Sequence, residues 1–196
     1  MVSGMLLPAG VDGAVMVHDQ ALVGYPPMHR DHRCSEGLAG VRLCEGVKVE
    51  AFAVVEHGIW RATVVGARSW LMPYVHVGHD VVIGEDCEVA GGSVIAAHCT
   101  LGRGVRIGLH TTTRPGVTIG DGARTGAGAV VVCDIPPGET WVGNPARKLG
   151  RRAAPTAGPV AEDEAERMAA MAGIAANEWA ATVALWGPRR EMHPCE

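Results

Sequence analysis

Residues 65–130 read VGARSW LMPYVH VGHDVV IGEDCE VAGGSV IAAHCT LGRGVR IGLHTT TRPGVT IGDGAR TGAGAV, eleven consecutive hexads in one register. Nine of the eleven first positions, from Val65 to Thr125, are Val, Leu or Ile, against 43 of 196 residues in the whole chain. The second position is glycine seven times and alanine twice, and the fifth is always small or branched. No charge occupies position one or five. Those two positions are therefore expected to point into a narrow tube that admits only aliphatic and small side chains, with the glycine easing the backbone round each corner. Three hexads make a coil of about 18 residues, and coils stack as parallel strands about 4.8 Å apart. Ordinary strands alternate with period two over short runs and would not hold this register. The expected fold class is all-β, a parallel β-helix.

Upstream the frame shifts but the pattern persists. Leu43, Val49 and Val55 take position one, Val47, Ala53 and Ile59 take position five, and four extra residues, Arg61 to Val64, are read as a small corner loop. Val17 to Gly24 reads as a partial first coil and residues 24–40, rich in Pro, His and Arg, as a loop thrown out from the tube. The stretch from Asp134 to Lys148 ends the coils, which gives a β-helix domain over 1–149 and a linker and C-terminal α-helix over 150–196. That helix, Ala161 to Trp186, carries an apolar stripe of Met168, Met171, Ala175, Trp179, Val183 and Trp186.

Composition narrows the function. With five Trp, two Tyr and one Phe among 196 residues, the chain has no ring-based core to offer. A net charge of −4 and a pI near 6.1 supply no basic surface, so neither nucleic acid nor an anionic membrane is an expected partner. No uncharged apolar run approaches the ~20 residues of a membrane span, and Met1 to Val17 lacks the basic leader of a secretory signal. Six scattered cysteines without a CxxC pair fit a reduced cytoplasm better than a disulfide or zinc framework. Cys87 and Cys99, at inward positions, read as core fillers.

Two segments carry a family resemblance: WLMPYVHVGHD at 70–80, and IPPG at 135–138 followed by GNPAR at 143–147. On these and on the repeat, the chain resembles the hexapeptide-repeat acyltransferases with a left-handed β-helix. The first segment is similar to the active-site coil of the UDP-N-acetylglucosamine O-acyltransferases, and its His-Asp is shared with sugar N-acetyltransferases. The second is similar to the family's usual end of the helix, seen most often with acetyl-CoA as donor. The resemblance implies a left-handed coil, a homotrimer with active sites between subunits, and His79 as general base.

Coil arithmetic groups residues around that base. A step of 18 places Ala97 above His79 and His98 above Asp80, and a step back that includes the four extra residues places His57 below His79. Positions three and four lie at the turn, so this cluster is expected to face solvent or a neighbouring subunit. Acyl transfer from a thioester needs a base for the attacking group and donors for the oxyanion. His79 supplies the first, with Asp80 to fix its tautomer, and the N–H of Ala97 the second. His98, His57 and His76 are candidate substrate contacts, as are Tyr25 and Arg30 in the 24–40 loop, beside His29, His32 and Arg33. Arg114, where a small residue is expected, is a candidate for a phosphate or carboxylate. For the donor, Gly126 and Gly128 leave room for a pantetheine arm, and Asn144, Pro145, Arg147 and Lys148, with Arg151 and Arg152, lie where relatives hold the nucleotide end.

The expectation is a cytoplasmic acyltransferase that moves an acyl group, by preference acetyl, from acyl-CoA to a hydroxyl or amine of a sugar or other small-molecule acceptor, with no metal required. An acyl carrier protein is the competing donor. A second reading is a metal-dependent lyase or hydrolase of the γ-class carbonic anhydrase type, recruiting His57, His79 and His76 or His98. A third is an inactive scaffold that uses the coils only to trimerise.

Overall fold

The computed structural model describes residues 13–30 and 38–150. The chain divides into two compact units, Met1–Leu149 and Gly150–Glu196. The helix expected at 161–186, Arg151 and Arg152, and His32 and Arg33 lie outside the described residues.

The first unit is the parallel β-helix that the repeat demands. Short strands fall into three sheets, and within a sheet the chain returns every three strands. Trp70–Leu71, Glu88–Val89 and Arg106–Ile107 stack in the first sheet, with Leu71 paired to Val89 and Val89 to Ile107. His76–Val77, Val94–Ile95 and Thr112–Thr113 stack in the second. Val82–Ile83, Thr100–Leu101 and Thr118–Ile119 stack in the third. Each position-one aliphatic thus sits on its counterpart one coil away. Every first and fifth position from Val65 to Ala129 is buried, so the core is a column of aliphatic and small side chains running along the stacked coils. Threonines at position one are tolerated because they satisfy backbone donors inside it: Thr113 Oγ1 accepts the Ala96 N–H at 2.9 Å and Thr125 Oγ1 the Gly108 N–H at 3.0 Å. No described helix is long and apolar enough to cross a membrane.

The turns correct one expectation. It is position four that takes the left-handed conformation, from Arg68 (φ 58°) and Tyr74 (φ 62°) through Asp80 (φ 59°) and His98 (φ 64°) to Gly128 (φ 69°). The position-two glycine is required by the next coil: a Cβ on Gly66 would lie 2.4 Å from the carbonyl carbon of Gly84. Close coil stacking, rather than the corner, selects glycine there.

The extra residues also lie two places earlier than expected. Thr63–Val65 pairs with Val41–Leu43, Val41 opposite Thr63, and buried Thr63 takes position five. The four residues outside the repeat are therefore 59–62, and Val64 belongs to a strand. The expected partial first coil is present, with Met16–Val17 on Lys48–Val49 and Leu22–Tyr25 on Val54–Glu56. At the other end Thr140–Val142 and Arg147–Lys148 form an antiparallel hairpin.

Outward side chains distinguish the three faces. The first sheet presents Lys48, Glu88, Arg106 and Arg124, with Arg106 paired to Glu88 at 2.7 Å. The other two, which meet at the His79 corner, present mainly Leu22, Val54, Val94 and Val130, and Val64, Val82, Thr100 and Thr118.

Candidate active site

The repeat brings His79 and Asp80 to the corner between the second and third sheets, directly below Ala97 and His98. The His98 N–H donates to the His79 carbonyl at 3.0 Å, which fixes the stacking of the two turns. Both Asp80 and His98 are left-handed at position four, a conformation that Asp and Asn tolerate better than most residues.

Asp80 is the centre of the site. Its Oδ2 meets His79 Nδ1 at 2.8 Å and lies 3.6 Å from His98 Nδ1. Its Oδ1 accepts the N–H groups of Ile59, Trp60 and Arg61, each at 2.9 Å, and its own N–H donates to Thr63 Oγ1 at 3.0 Å. The four residues outside the repeat thus wrap the carboxylate, and the Arg61 Nε also donates to the Asp80 carbonyl at 2.8 Å. Burial works to raise the Asp80 pKa, but the Arg61 N–H, the His79 imidazole and the Trp60 and Ile59 N–H groups outweigh it and hold it below the usual carboxylate range. An ionised Asp80 takes the proton on His79 Nδ1 as its hydrogen bond, which leaves Nε2 with a lone pair.

A cluster of rings packs around the His79 imidazole. His79 and His98 meet edge-on with centroids 4.8 Å apart, Trp60 lies tilted over His98 at 5.3 Å, and His29 meets both Trp60 and His79, at 5.7 and 5.8 Å. Burial and the neighbouring His79 lower the His98 pKa against the pull of Asp80, so His98 is a neutral donor or acceptor near pH 7. Trp60, by contrast, is 61% exposed and offers a flat apolar face at the rim.

The expectation that the cluster faces solvent or a neighbouring subunit is corrected for solvent at His79 and Asp80, while His98 stays exposed. His79 and Asp80 are 5% and 1% exposed, because the 59–62 insertion and the segment carrying His29 cover them. His57 does stack one coil below His79, but its N–H donates to the Tyr25 carbonyl and its buried Nδ1 has no hydrogen-bond partner among the described residues; His29 takes the place beside the His79 ring. His76 is tied to Glu56 by a 3.0 Å contact between Nε2 and Oε1. Sequence reasoning missed Glu56, Trp60, Thr63 and the role of His29. Glu56 carried a signal, a charge at hexad position two.

The remaining candidates are dispersed. Ala97 N lies 2.8 Å from where a Cβ on Gly78 would stand, and its N–H donates to no acceptor among the described residues. Arg114 is exposed at the His79 corner, one further coil beyond Ala96, with no ion pair among the described residues. Tyr25 and Arg30 are both exposed. Gly126 and Gly128 belong to a different corner, above Leu109, where Gly128 faces open space. Asn144 and Pro145 are exposed in the terminal hairpin; Arg147 bonds the Ala146 carbonyl, and Lys148 Nζ reaches Glu139 at 2.5 Å. Buried Cys87 and Cys99 donate to the carbonyls of Gly102 and Arg114, and burial raises the Cys87 thiol pKa, as inert fillers require. His79, Asp80 and His98 also offer three ligand atoms within 4.8 Å of one another, a set that could hold a metal ion.

Comparison with known proteins places the repeat and the fold. Residues 62–97 match the bacterial transferase hexapeptide family model of six repeats. The chain is 38% identical over 114 residues to UDP-3-O-acylglucosamine N-acyltransferase of Caulobacter sp. strain K31, covering 58% of this chain and 34% of that protein. It is 42% identical over 144 residues to the enzyme of the same name from Azorhizobium caulinodans, covering 71% of this chain and 40% of that protein. The chain therefore spans between about a third and two fifths of the length of these relatives. Among solved structures, a histidine-to-asparagine variant of perosamine N-acetyltransferase from Caulobacter crescentus, in complex with CoA and GDP-perosamine, matches with a TM-score of 0.59 and 28% identity over 71% of this chain and 58% of that one. LpxA from Acinetobacter baumannii, at 20% identity over 71% of this chain and 55% of that one, shares the fold with a TM-score of 0.68. The resemblance to the hexapeptide-repeat acyltransferases thus extends to both sequence and fold.

Proposed function

We propose that the chain is an acyltransferase in which His79 is the general base, moving an acyl group, by preference acetyl, from acyl-CoA to a hydroxyl or amine of a sugar or other small-molecule acceptor. The observation that carries the reading is the 2.8 Å contact between His79 Nδ1 and Asp80 Oδ2. It orients the imidazole, commits its proton to Nδ1 and leaves Nε2 to take the acceptor's proton as that atom attacks the thioester carbonyl. The Ala97 N–H, one coil above, then holds the oxyanion. His79 returns the proton from Nε2 to the departing thiolate as the C–S bond breaks, and Asp80 stabilises the imidazolium in between. No enzyme nucleophile is needed.

The other candidates take supporting roles. His98 and Trp60 bound the acceptor, with His57, His76, Tyr25 and Arg30 at its margins, and Arg114 meets a phosphate or carboxylate along the same corner. Gly126, Gly128, Asn144, Pro145, Arg147 and Lys148 receive the donor. Because Gly126 and Gly128 stand at another corner of the tube, the reading pairs them with His79 of a neighbouring copy in a homotrimer. The sparsely charged second and third sheet faces support such packing. Sedimentation should give three times the 20.4 kDa chain mass. The cytoplasm, where acyl-CoA is made available, is the proposed location.

The test is thiol release from acetyl-CoA in the presence of a panel of nucleotide-linked amino sugars and hydroxyl sugars, with acyl carrier protein loaded with the same acyl group as the rival donor. Acceptor-dependent release of CoA supports the reading; release from the carrier protein alone replaces the donor. A metal-dependent lyase or hydrolase is the second reading, supported by the three ligand atoms of His79, Asp80 and His98. Stoichiometric zinc, iron or cobalt in the purified protein would put it first.

A further inference from the structure

Glu56 lies outside the catalytic pair, yet three parts of the site converge on it. It occupies hexad position two, where nine of the eleven hexads from Val65 take glycine or alanine, and it is 2% exposed. Its Oε1 meets His76 Nε2 at 3.0 Å. Its Oε2 accepts the His79 N–H at 3.1 Å and the Met28 N–H at 3.3 Å. Met28 adjoins His29, whose ring lies edge-on to that of His79 at 5.8 Å and to that of Trp60 at 5.7 Å.

We propose that Glu56 is a positioning residue: its two carboxylate oxygens fix the backbone of His79 and latch the 26–30 segment, with His29, against the base. The inference rests on the assignment of His79 as base, but the latch has readouts of its own. A buried carboxylate persists only when its acceptor sites are filled, and here they are filled by donors from three separate elements: the second-sheet strand, the turn that bears the base, and the loop. Burial works to raise the Glu56 pKa, yet the bonds from His76, Met28 and His79 outweigh it and keep the group ionised at neutral pH. One oxygen serves both the His79 and Met28 N–H groups, so the seat of the loop and the seat of the base share a single atom. This is the counterpart of Asp80, which gathers the 59–62 insertion onto the same imidazole, where Trp60 meets His29.

The test compares Glu56→Ala, Glu56→Gln and Met28→Pro in the full chain. Alanine is a residue the repeat itself uses at position two, so coil stacking is preserved; glutamine keeps an oxygen for the two N–H groups; proline removes the loop's donor together with an exposed side chain. Two readouts are followed by mass spectrometry: tryptic cleavage after Arg30, and carbethoxylation of His79 by diethyl pyrocarbonate. Glu56→Ala is expected to raise both rates by about tenfold, the scale of one or two lost buried hydrogen bonds. Met28→Pro should reproduce the rise in cleavage, and Glu56→Gln should return both rates to within about threefold of wild type. Wild-type cleavage in Met28→Pro overturns the latch, even if Glu56→Ala fails to fold. A released loop with unchanged His79 reactivity overturns the positioning role. Loss of the base assignment itself would leave these rates untouched and would show instead as full transfer activity in His79→Ala.

Discussion

Asp80 and Asp86 stand one hexad apart with nearly the same backbone, φ 59° and 57°, at the same turn position of neighbouring corners. Their fates differ completely. Asp86, 48% exposed along its side chain, pairs with Arg68 one coil below at 2.7 Å, and Arg68 also reaches Glu85 at 2.9 Å. Asp80, 1% exposed, accepts three backbone N–H groups on one oxygen and an imidazole on the other. What separates them is the four-residue insertion at 59–62, which has no counterpart at the Arg68 corner. A repeat that places the fourth residue of each hexad at a turn buries a carboxylate there, among the described residues, only where the repeat is broken.

Exchanging the two carboxylates for amides should separate the two sites most strongly. Asp80→Asn keeps a residue that tolerates the left-handed turn but presents an amide to His79 Nδ1, so transfer activity should fall about 10³-fold or more. Stability should fall by about 2–4 kcal/mol, the scale for disturbing a buried, multiply bonded charge. Asp86→Asn should leave activity unchanged and move the melting temperature by no more than about two degrees. Kinetics and thermal denaturation of the two variants measure both contrasts.

Deleting residues 59–62 restores an 18-residue coil and should make Asp80 resemble Asp86: folded, exposed and about 10²-fold or more slower in transfer. A fully active deletion variant would detach the insertion from catalysis.

Acid sharpens the contrast further. The folded pKa values of Asp80 and Glu56 lie below their unfolded values, so the unfolded chain binds more protons. Their stabilisation is therefore present above the ordinary carboxylate range and is lost as pH falls below about 4. Denaturation from pH 7 to 2 should show a steeper acid limb in wild type than in Asp80→Asn. Arg68 holds Asp86 below the usual carboxylate range as well, so salt is what separates the two sites: ~1 M salt shortens screening to about 3 Å and weakens the exposed Arg68 pair. The smallest expected effect is at the rim: Arg114→Ala should raise KM for a phosphate-bearing substrate about three- to tenfold with little change in kcat.

The register of the hexads was legible without coordinates because one steric rule acts at every coil: positions one and five from Val65 to Ala129 are all buried. The same arithmetic put His98 over Asp80 and Ala97 over His79. It failed where the repeat is interrupted. The length of the insertion could be counted, but its position depended on whether Ile59 or Thr63 fills the fifth place, and both are uncharged and branched. Once that frame slipped, Trp60 and the N–H groups that bind Asp80 could not be assigned. His29 and Glu56 were hidden for a related reason, since the loop that brings Met28 to Glu56 follows no period at all.

The proposed mechanism has His79, oriented by Asp80, remove the acceptor's proton. The most direct measurement is acetyl transfer by His79→Ala and wild type, at saturating acetyl-CoA with an acceptor identified from the panel. Wild-type thermal stability is retained as the control for folding. The account predicts a loss of about 10²- to 10⁴-fold in kcat for His79→Ala, with acetyl-CoA binding preserved. A variant that transfers at the wild-type rate would contradict it.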